Sequence, residues 1–306
     1  MFNDYSKKVN NIKQNFSIKD LENLCGVKAH TIRIWEKRYN LLTPERTETN
    51  IRTYSLTNLQ KLLNVSYLVN SGYKISRISK LQKNEIDEYA RRIVTENSTK
   101  SQAINAFKIA MLNFDVALFH TTFNELKEKR TFKSIFNEVF IPFLTEIGFL
   151  WQTGTITPSH EHFITHLIKQ KLTLSIEQLQ HSVATTKKRT FVLFLPQNEI
   201  HDLGILYVNY ELLSHGYKTI YLGASIPLED LKHLITIHPD VTFLSYFTVQ
   251  PEKNAVQSYI EQFDTMINSE KQREFWMLGK QIQHITNRES KTHRYFESIE
   301  ALVKQL

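Results

Sequence analysis

The 306-residue chain has one cysteine, Cys25, and only 8 glycines. A single cysteine excludes an intrachain disulfide and fits a reducing compartment, with the thiol read as a small buried apolar group. No Ser/His/Asp order, phosphate-loop glycine pattern or paired Cys/His spacing is present, which argues against a hydrolase, a nucleotide enzyme and a zinc site. No secretory signal precedes Asn3 and Asp4, so the expected location is cytoplasmic. There is no internal repeat and no low-complexity tract. The most apolar stretch, Phe132 to Trp151, carries Lys133, Glu138, Glu146 and Pro142. It is expected to be a kinked bundle helix rather than a membrane span. His120, His166, His215, His233 and His284 share no ligand spacing.

What is present is ordinary for a globular protein, with 41% hydrophobic and 23% charged residues over a length suited to two or three domains. The charge is unevenly placed. Residues 1–80 hold 14 Lys and Arg against 6 Asp and Glu, a net of +8 in a chain whose total is +7. A basic head on a near-neutral body points to nucleic acid as the partner of the head.

Three zones follow from hydrophobic period. From Phe16 to about Leu81, short helices are broken by Gly26 and by a polar turn, Thr43 to Asn50. Ser17 is a candidate N-cap for a helix over Ile18 to Leu24, and Cys25-Gly26-Val27 turns the chain into a second helix, Ala29 to Tyr39. Two helices joined by a short glycine turn form a helix-turn-helix. From about Asn84 to Gln180, apolar residues recur three and four apart, as at Ile104, Phe107, Met111 and Leu112, which predicts four packed helices. Breaks are expected near residues 113–116, 129–131 and 154–158. From Thr190 the period shortens. Strand-like runs at Phe191–Leu195, Lys218–Leu222, Val241–Tyr246 and Phe275–Leu278 alternate with helices over Leu203–Ser214, Leu228–Ile237 and Ala255–Asn268. Such alternation predicts a parallel, doubly wound sheet. The expected domains are residues 1–83, 84–181 and 189–306.

In the head, Arg33, Lys37 and Arg38 share one broad helix face that suits the major groove. Arg46 and Arg52 flank the polar turn, where phosphate contacts would position the protein, and Tyr39 and Tyr54 either pack the wing to the helix or touch the DNA backbone. The run from Thr31 through Trp35-Glu36-Lys37-Arg38-Tyr39, with Leu41-Leu42, Pro44, Arg46, Arg52 and Tyr54 at fixed offsets, resembles the DNA-binding domain of MerR-family regulators. The resemblance implies a winged helix-turn-helix on double-stranded operator DNA.

Directly after the first strand-like run comes Glu199-x-His201-x-x-Gly204. Ligands bind at the carboxyl ends of strands in open α/β sheets, so His201 could reach a bound group there. Glu199 could hold the imidazole tautomer as metal-binding histidines require, and Gly204 could admit a bulky ligand close to the backbone. In the bundle, Trp151 with Glu161 and His162 could form a flat apolar surface bearing two polar groups. As an alternative, Trp151 is a core residue and Ser159 caps a helix with Glu161 in its first turn.

Trp151, Glu161-His162 and the Glu199/His201/Gly204 loop, in that order behind a MerR-type head, resemble the cobalamin-dependent photoreceptor regulators of the CarH and LitR type. The resemblance implies an α + α/β chain: a MerR-type winged helix-turn-helix, a four-helix bundle and a Rossmann-like, doubly wound parallel sheet of the cobalamin-binding type. It implies that the bundle caps the upper face of adenosylcobalamin, with His201 as lower cobalt ligand, Glu199 orienting it, and Trp151, Glu161 and His162 lining the adenosyl side. Gly223, Ser245 and Gly279 would then hold the nucleotide tail, with Ser245 on the buried benzimidazole. The partners implied are operator DNA and further copies of the chain, as a dimer or tetramer, with no membrane and no zinc.

Two positions depart from the family pattern. Gly279-Lys280 replaces paired glycines, and Gln152 stands where the better-known photoreceptors carry a histidine. A neutral amide is a much weaker cobalt ligand than imidazole. Three readings follow: a regulator sensing adenosylcobalamin and, through it, light; the same regulator with a degenerate cobalamin fold serving another effector or partner; and a corrinoid carrier of a methyltransferase system, against which stands the DNA-binding head.

Overall fold

The computed structural model describes residues 15–70, 72–82, 85–86, 89, 100–182, 184–268 and 272–306, and the side chain of Gln152 is not among those described. The expected domain boundary at residues 83 and 84 falls outside this set. The chain divides into two compact units, Met1–Ile168 and Lys169–Leu306.

The head starts with β1 (Asn15–Phe16) and α1 (Ile18–Cys25). Ser17 caps α1 in a capping box: its hydroxyl accepts from the Asp20 amide at 3.2 Å, while Asp20 Oδ2 accepts from the Ser17 amide at 2.7 Å. The helix ends on Gly26 with φ 73°, a left-handed position that suits a residue without Cβ. The turn leads into α2 (Ala29–Tyr39), with Asn40 as its left-handed cap. The wing is a hairpin of β2 (Glu45–Arg46) and β3 (Arg52–Ser55), and β3 also pairs with β1. Helices α3 (Leu56–Asn70) and α4 (Ile75–Ile78) complete the head. Phe16, Leu21, Leu24, Ile32, Trp35, Tyr54 and Leu59 are buried in its core.

Among the described residues four long helical segments follow: α5 (Lys100–Asn113), α6 (Val116–Lys129), a third running through α7 (Phe132–Ile135) and α8 (Ile141–Gln152), and α9 (Pro158–Ser182). The expected breaks lie where the helices end. Asp115 and Thr131 cap α6 and α7 with their side chains. The third helix contains a π-helical stretch, Phe136–Phe140, just before Pro142 in the first turn of α8. Proline has no N–H to donate and its ring crowds the preceding turn, so a local widening of the helix accommodates it. Phe132–Trp151 is long and apolar enough to cross a membrane by length and composition. Phe136, Val139, Phe140, Phe143, Ile147 and Leu150 on it are buried in the bundle, where Phe107 meets Phe119, Phe140 and Phe143 at centroid distances of 5.1, 5.4 and 5.9 Å.

The second unit is built on a five-stranded, all-parallel sheet of order β5-β4-β6-β7-β8: β4 (Thr190–Pro196), β5 (Lys218–Ile226), β6 (Val241–Tyr246), β7 (Phe275–Leu278) and β8 (His293–Phe296). Strands β4, β6 and β7 are near-continuous apolar runs because helices cover both faces. Side chains alternate between two cores. Val192, Phe194, Phe243, Phe275 and Met277 pack under α11 (Leu231–Ile237) and α12 (Val256–Ile267). Phe191, Leu193, Leu195, Leu244, Trp276 and Leu278 pack under α10 (Leu203–Ser214) and α13 (Ile299–Val303). The fifth strand, His-Arg-Tyr-Phe, escapes sequence reading because an edge strand needs no apolar run. The expected helix over Leu228–Ile237 begins as a 3₁₀ turn, Leu228–Asp230.

Candidate cofactor and DNA-binding sites

The first strand of the sheet, β4, lies between β5 and β6, so the connections leaving the carboxyl ends of the neighbours β4 and β6 run in opposite directions, to β5 and to β7. Between those ends lies a topological switch point, where a crevice opens above the strands. The loop leaving β4 carries Glu199 and His201. Glu199 is fully buried, and each of its carboxylate oxygens is used twice. Oε1 accepts from the His201 amide at 2.9 Å and stands 2.6 Å from His201 Nδ1. Oε2 accepts from the amides of Val249 and Gln250 at 2.6 and 2.7 Å, just beyond β6. Burial on its own would push this carboxyl up, but the three backbone N–H groups and the imidazole hold it below the usual carboxylate range.

The consequence is a fixed histidine. With Nδ1 committed to Glu199, the imidazole presents Nε2 as its remaining ring nitrogen, and the side chain is 54% exposed. A neutral imidazole tied at Nδ1 by a carboxylate is the standard arrangement of a metal-ligating histidine. The donor set therefore fits a metal that brings its other ligands with it. Among the described residues no group of three or more His, Cys, Asp or Glu could hold a bare metal ion.

Gly204 opens α10, and a Cβ there would meet the Tyr246 ring at 3.0 to 3.2 Å, so the space beside it is filled by Tyr246. Gly223 has φ 87° at an irregularity in the β4–β5 pairing, where the register shifts between Leu193 and Phe194. Ser245 is fully buried and donates its hydroxyl proton to the Phe194 carbonyl at 2.8 Å. Gly279 has φ 100°, and a Cβ would come within 2.4 Å of the Phe247 carbonyl oxygen, so close backbone packing there requires glycine. Lys280 is exposed. Sequence reasoning missed the Val249 and Gln250 amides, and also Asp202, which pairs with Lys169.

In the first unit, Trp151 is 54% exposed in the last turn of α8, which excludes the alternative of a core tryptophan. Glu161 lies in the first turn of α9 and His162 directly after it, nine and ten residues beyond the end of α8, with His162 Nε2 3.3 Å from Glu161 Oε2. The helix starts at Pro158, so Ser159 lies inside it rather than capping it. Beside them His160 is buried. It stacks on Phe114 at 4.8 Å, and its Nδ1 accepts from the Thr157 amide at 3.2 Å. Burial pulls its pKa below the usual histidine value.

On the head, Arg33, Lys37 and Arg38 are exposed on α2 together with Ile34, while Ile32 and Trp35 face the core. Arg38 lies over the Tyr39 ring at 5.5 Å. Arg46 donates to Asn50 within the wing. Tyr54, expected either to pack the wing or to touch DNA, is fully buried and does not reach DNA. Its hydroxyl donates to Glu36 Oε2 at 2.9 Å while Arg52 donates to Oε1 at 3.0 Å, so Glu36 on α2 ties the wing to the helix.

A winged helix-turn-helix, a helical bundle and a parallel sheet with a carboxylate-clamped histidine define a class: a MerR-type regulator with a cobalamin-binding module. The model of the MerR HTH family regulatory protein matches residues 16–85, and that of the B12 binding domain matches residues 103–174. Within that class the chain is similar to two transcriptional repressors. The HTH-type transcriptional repressor CarH of Myxococcus xanthus is 26% identical over 240 residues, covering 76% of this chain and 79% of that protein. The repressor CarA of the same organism is 23% identical over 245 residues, covering 78% and 79%. Both relatives are transcriptional repressors. The Methanosarcina barkeri monomethylamine corrinoid protein shares the fold, with a TM-score of 0.56 at 12% identity over 68% of this chain and 98% of that one.

Proposed function

We propose that the chain binds operator DNA through its head, residues 1–83, and senses adenosylcobalamin through the bundle, residues 84–181, and the sheet domain, residues 189–306. The observation that supports this reading is the buried Glu199 clamp, which fixes His201 at the switch point with Nε2 as its remaining ring nitrogen. His201 would hold the cobalt, and Trp151, Glu161 and His162 would contact the adenosyl group. When bound, the cofactor supplies a cobalt–carbon bond that light can break. Glu199 keeps the ring oriented and the tautomer fixed, and Trp151 offers an apolar face that excludes water. Arg33, Lys37 and Arg38 would read the major groove, with Tyr39 beside them, and Arg46 would contact phosphate. Arg52 would position the wing.

Binding of the cofactor would favour the conformations that hold it, and so bias the oligomer, a dimer or tetramer, that presents the heads to DNA. Gln152 would offer cobalt a much weaker ligand than the histidine of the photoreceptors the chain resembles. Absorbance spectra of protein reconstituted with adenosylcobalamin, in the dark and after illumination, with a DNA shift assay on each sample, test the reading. A coloured complex that is lost in His201→Ala, and DNA binding that changes on illumination, are expected. No coloured complex, or one unchanged by His201→Ala, would overturn it.

Two observations favour a second reading, in which the same regulator serves another effector. The Ser245 hydroxyl is given to Phe194, and the Phe247 backbone closes on Gly279. Those contacts occupy the groups expected to hold the nucleotide tail. The same titration separates the two readings.

A further inference from the structure

A lysine within an apolar helix stripe is costly unless its charge is held. Lys108 lies on α5 between the buried Phe107 and Ala110, and its side chain is 9% exposed. Its Nζ donates to the Leu24 carbonyl at 3.3 Å and pairs with Glu146 Oε2 on α8. Leu24 is in the last turn of α1, where carbonyls lack partners within the helix and the helix dipole attracts a cation. The next two residues, Cys25 and Gly26, begin the turn of the helix-turn-helix. Two further contacts join the head to the bundle: Asn23 Nδ2 donates to Thr155 Oγ1 at 3.4 Å, and Gln60 Nε2 to Asn113 Oδ1 at 2.7 Å. Glu146 and Trp151 share α8, and Thr155 lies in the turn that follows. The Trp151 segment therefore meets the last turn of α1 directly at Thr155 and, through Lys108, at Glu146.

We propose that Lys108 is a positioning residue for DNA binding, a latch through which α8, the helix of Trp151, holds the helix-turn-helix turn. The ammonium group is suited to this because it offers several donors from one point, one for the α1 carbonyl and one for Glu146. Movement of α8 or loss of the charge at position 146 would leave Lys108 buried without its anion and loosen the end of α1. The bundle thus acts on the recognition helix α2 through the turn that precedes it. The ligand arm of this inference rests on the proposed cobalamin reading, whereas the latch itself does not.

Hydrogen exchange by mass spectrometry on the full chain tests the latch. Lys108→Met is expected to speed exchange of the amides of Cys25 to Val27 by roughly tenfold, the effect of losing one charge-assisted hydrogen bond against local opening. Lys108→Arg is expected to restore most of the protection, and Glu146→Gln to lose part of it. Unchanged exchange at Cys25 to Val27 in Lys108→Met would overturn the proposal. So would an equal rise across residues 135–150, which would make Lys108 a core residue of the bundle and nothing more. With saturating adenosylcobalamin, protection at residues 22–28 is expected to change in the parent protein and not in Lys108→Met, and a response that persists in the variant also overturns the latch. If no coloured complex forms, the cofactor reading fails, and the variants without ligand decide the latch alone.

Discussion

Glu199 accepts four hydrogen bonds, three of them from backbone amides. Replacing it by glutamine turns one oxygen into a donor facing amide donors inside a closed site. Glu199→Gln is expected to cost about 1–3 kcal/mol of stability, measured by urea unfolding. It should also weaken cobalamin binding about 10- to 100-fold, because the histidine loses its orienting partner. His160 gives a pH signature. Its folded-state pKa is depressed, so folding favours the neutral ring: the stability is fully present above the ordinary histidine value and is lost as pH falls through it toward the depressed one. A thermal melt series is expected to show this loss in the parent protein and a smaller loss in His160→Gln. Cys25 behaves in the opposite sense. Burial pushes its thiol up to about 11, so alkylation of the folded chain at pH 8 should be slow.

At the scale of elements, the sheet places its close approaches at strand ends. Gly279→Ala would put a Cβ 2.4 Å from the Phe247 carbonyl oxygen at a left-handed φ of 100°. It is expected to destabilise the fold by about 2–3 kcal/mol in urea unfolding, through backbone strain and displacement of the β6 end. The wing is legible in the sequence only in part. Arg52 and Tyr54 stand at offsets that mark the family, and their spacing places both on a short hairpin, but their shared partner Glu36 lies 16 and 18 residues back on another element. Polar spacing along the chain cannot separate a phosphate contact from an internal tie. Burial separates them, since Tyr54 lies entirely inside the head. Helices over Ala29–Tyr39 and Leu203–Ser214 and strands over Val241–Tyr246 and Phe275–Leu278 are read correctly from pattern because each has a strong period or a clear break at both ends. β8 is not, since its residues are mixed and its pairing is with one neighbour only.

For the whole molecule, the uneven charge makes a measurable claim. A head of net +8 is expected to bind duplex DNA with a steep salt dependence, and Arg46→Ala should lower the slope of log K against log salt by about 1 if it contacts one phosphate. Tyr54→Phe removes no charge and is expected to leave that slope unchanged while loosening the wing.

The sequence by itself determined the order of the parts, the period of each helix and strand, the basic head and the Glu199/His201 pair. All of these depend on neighbours a few residues away, whose geometry the backbone fixes. Tertiary structure alone decided that the Val249 and Gln250 amides, 50 and 51 residues on, close the Glu199 clamp, that Glu36 serves the wing, and that a lysine in the apolar stripe of α5 ends on a carbonyl of α1, 84 residues away. Such partners are chosen by the need to satisfy a buried charge, and which distant group does so is set by how the elements pack.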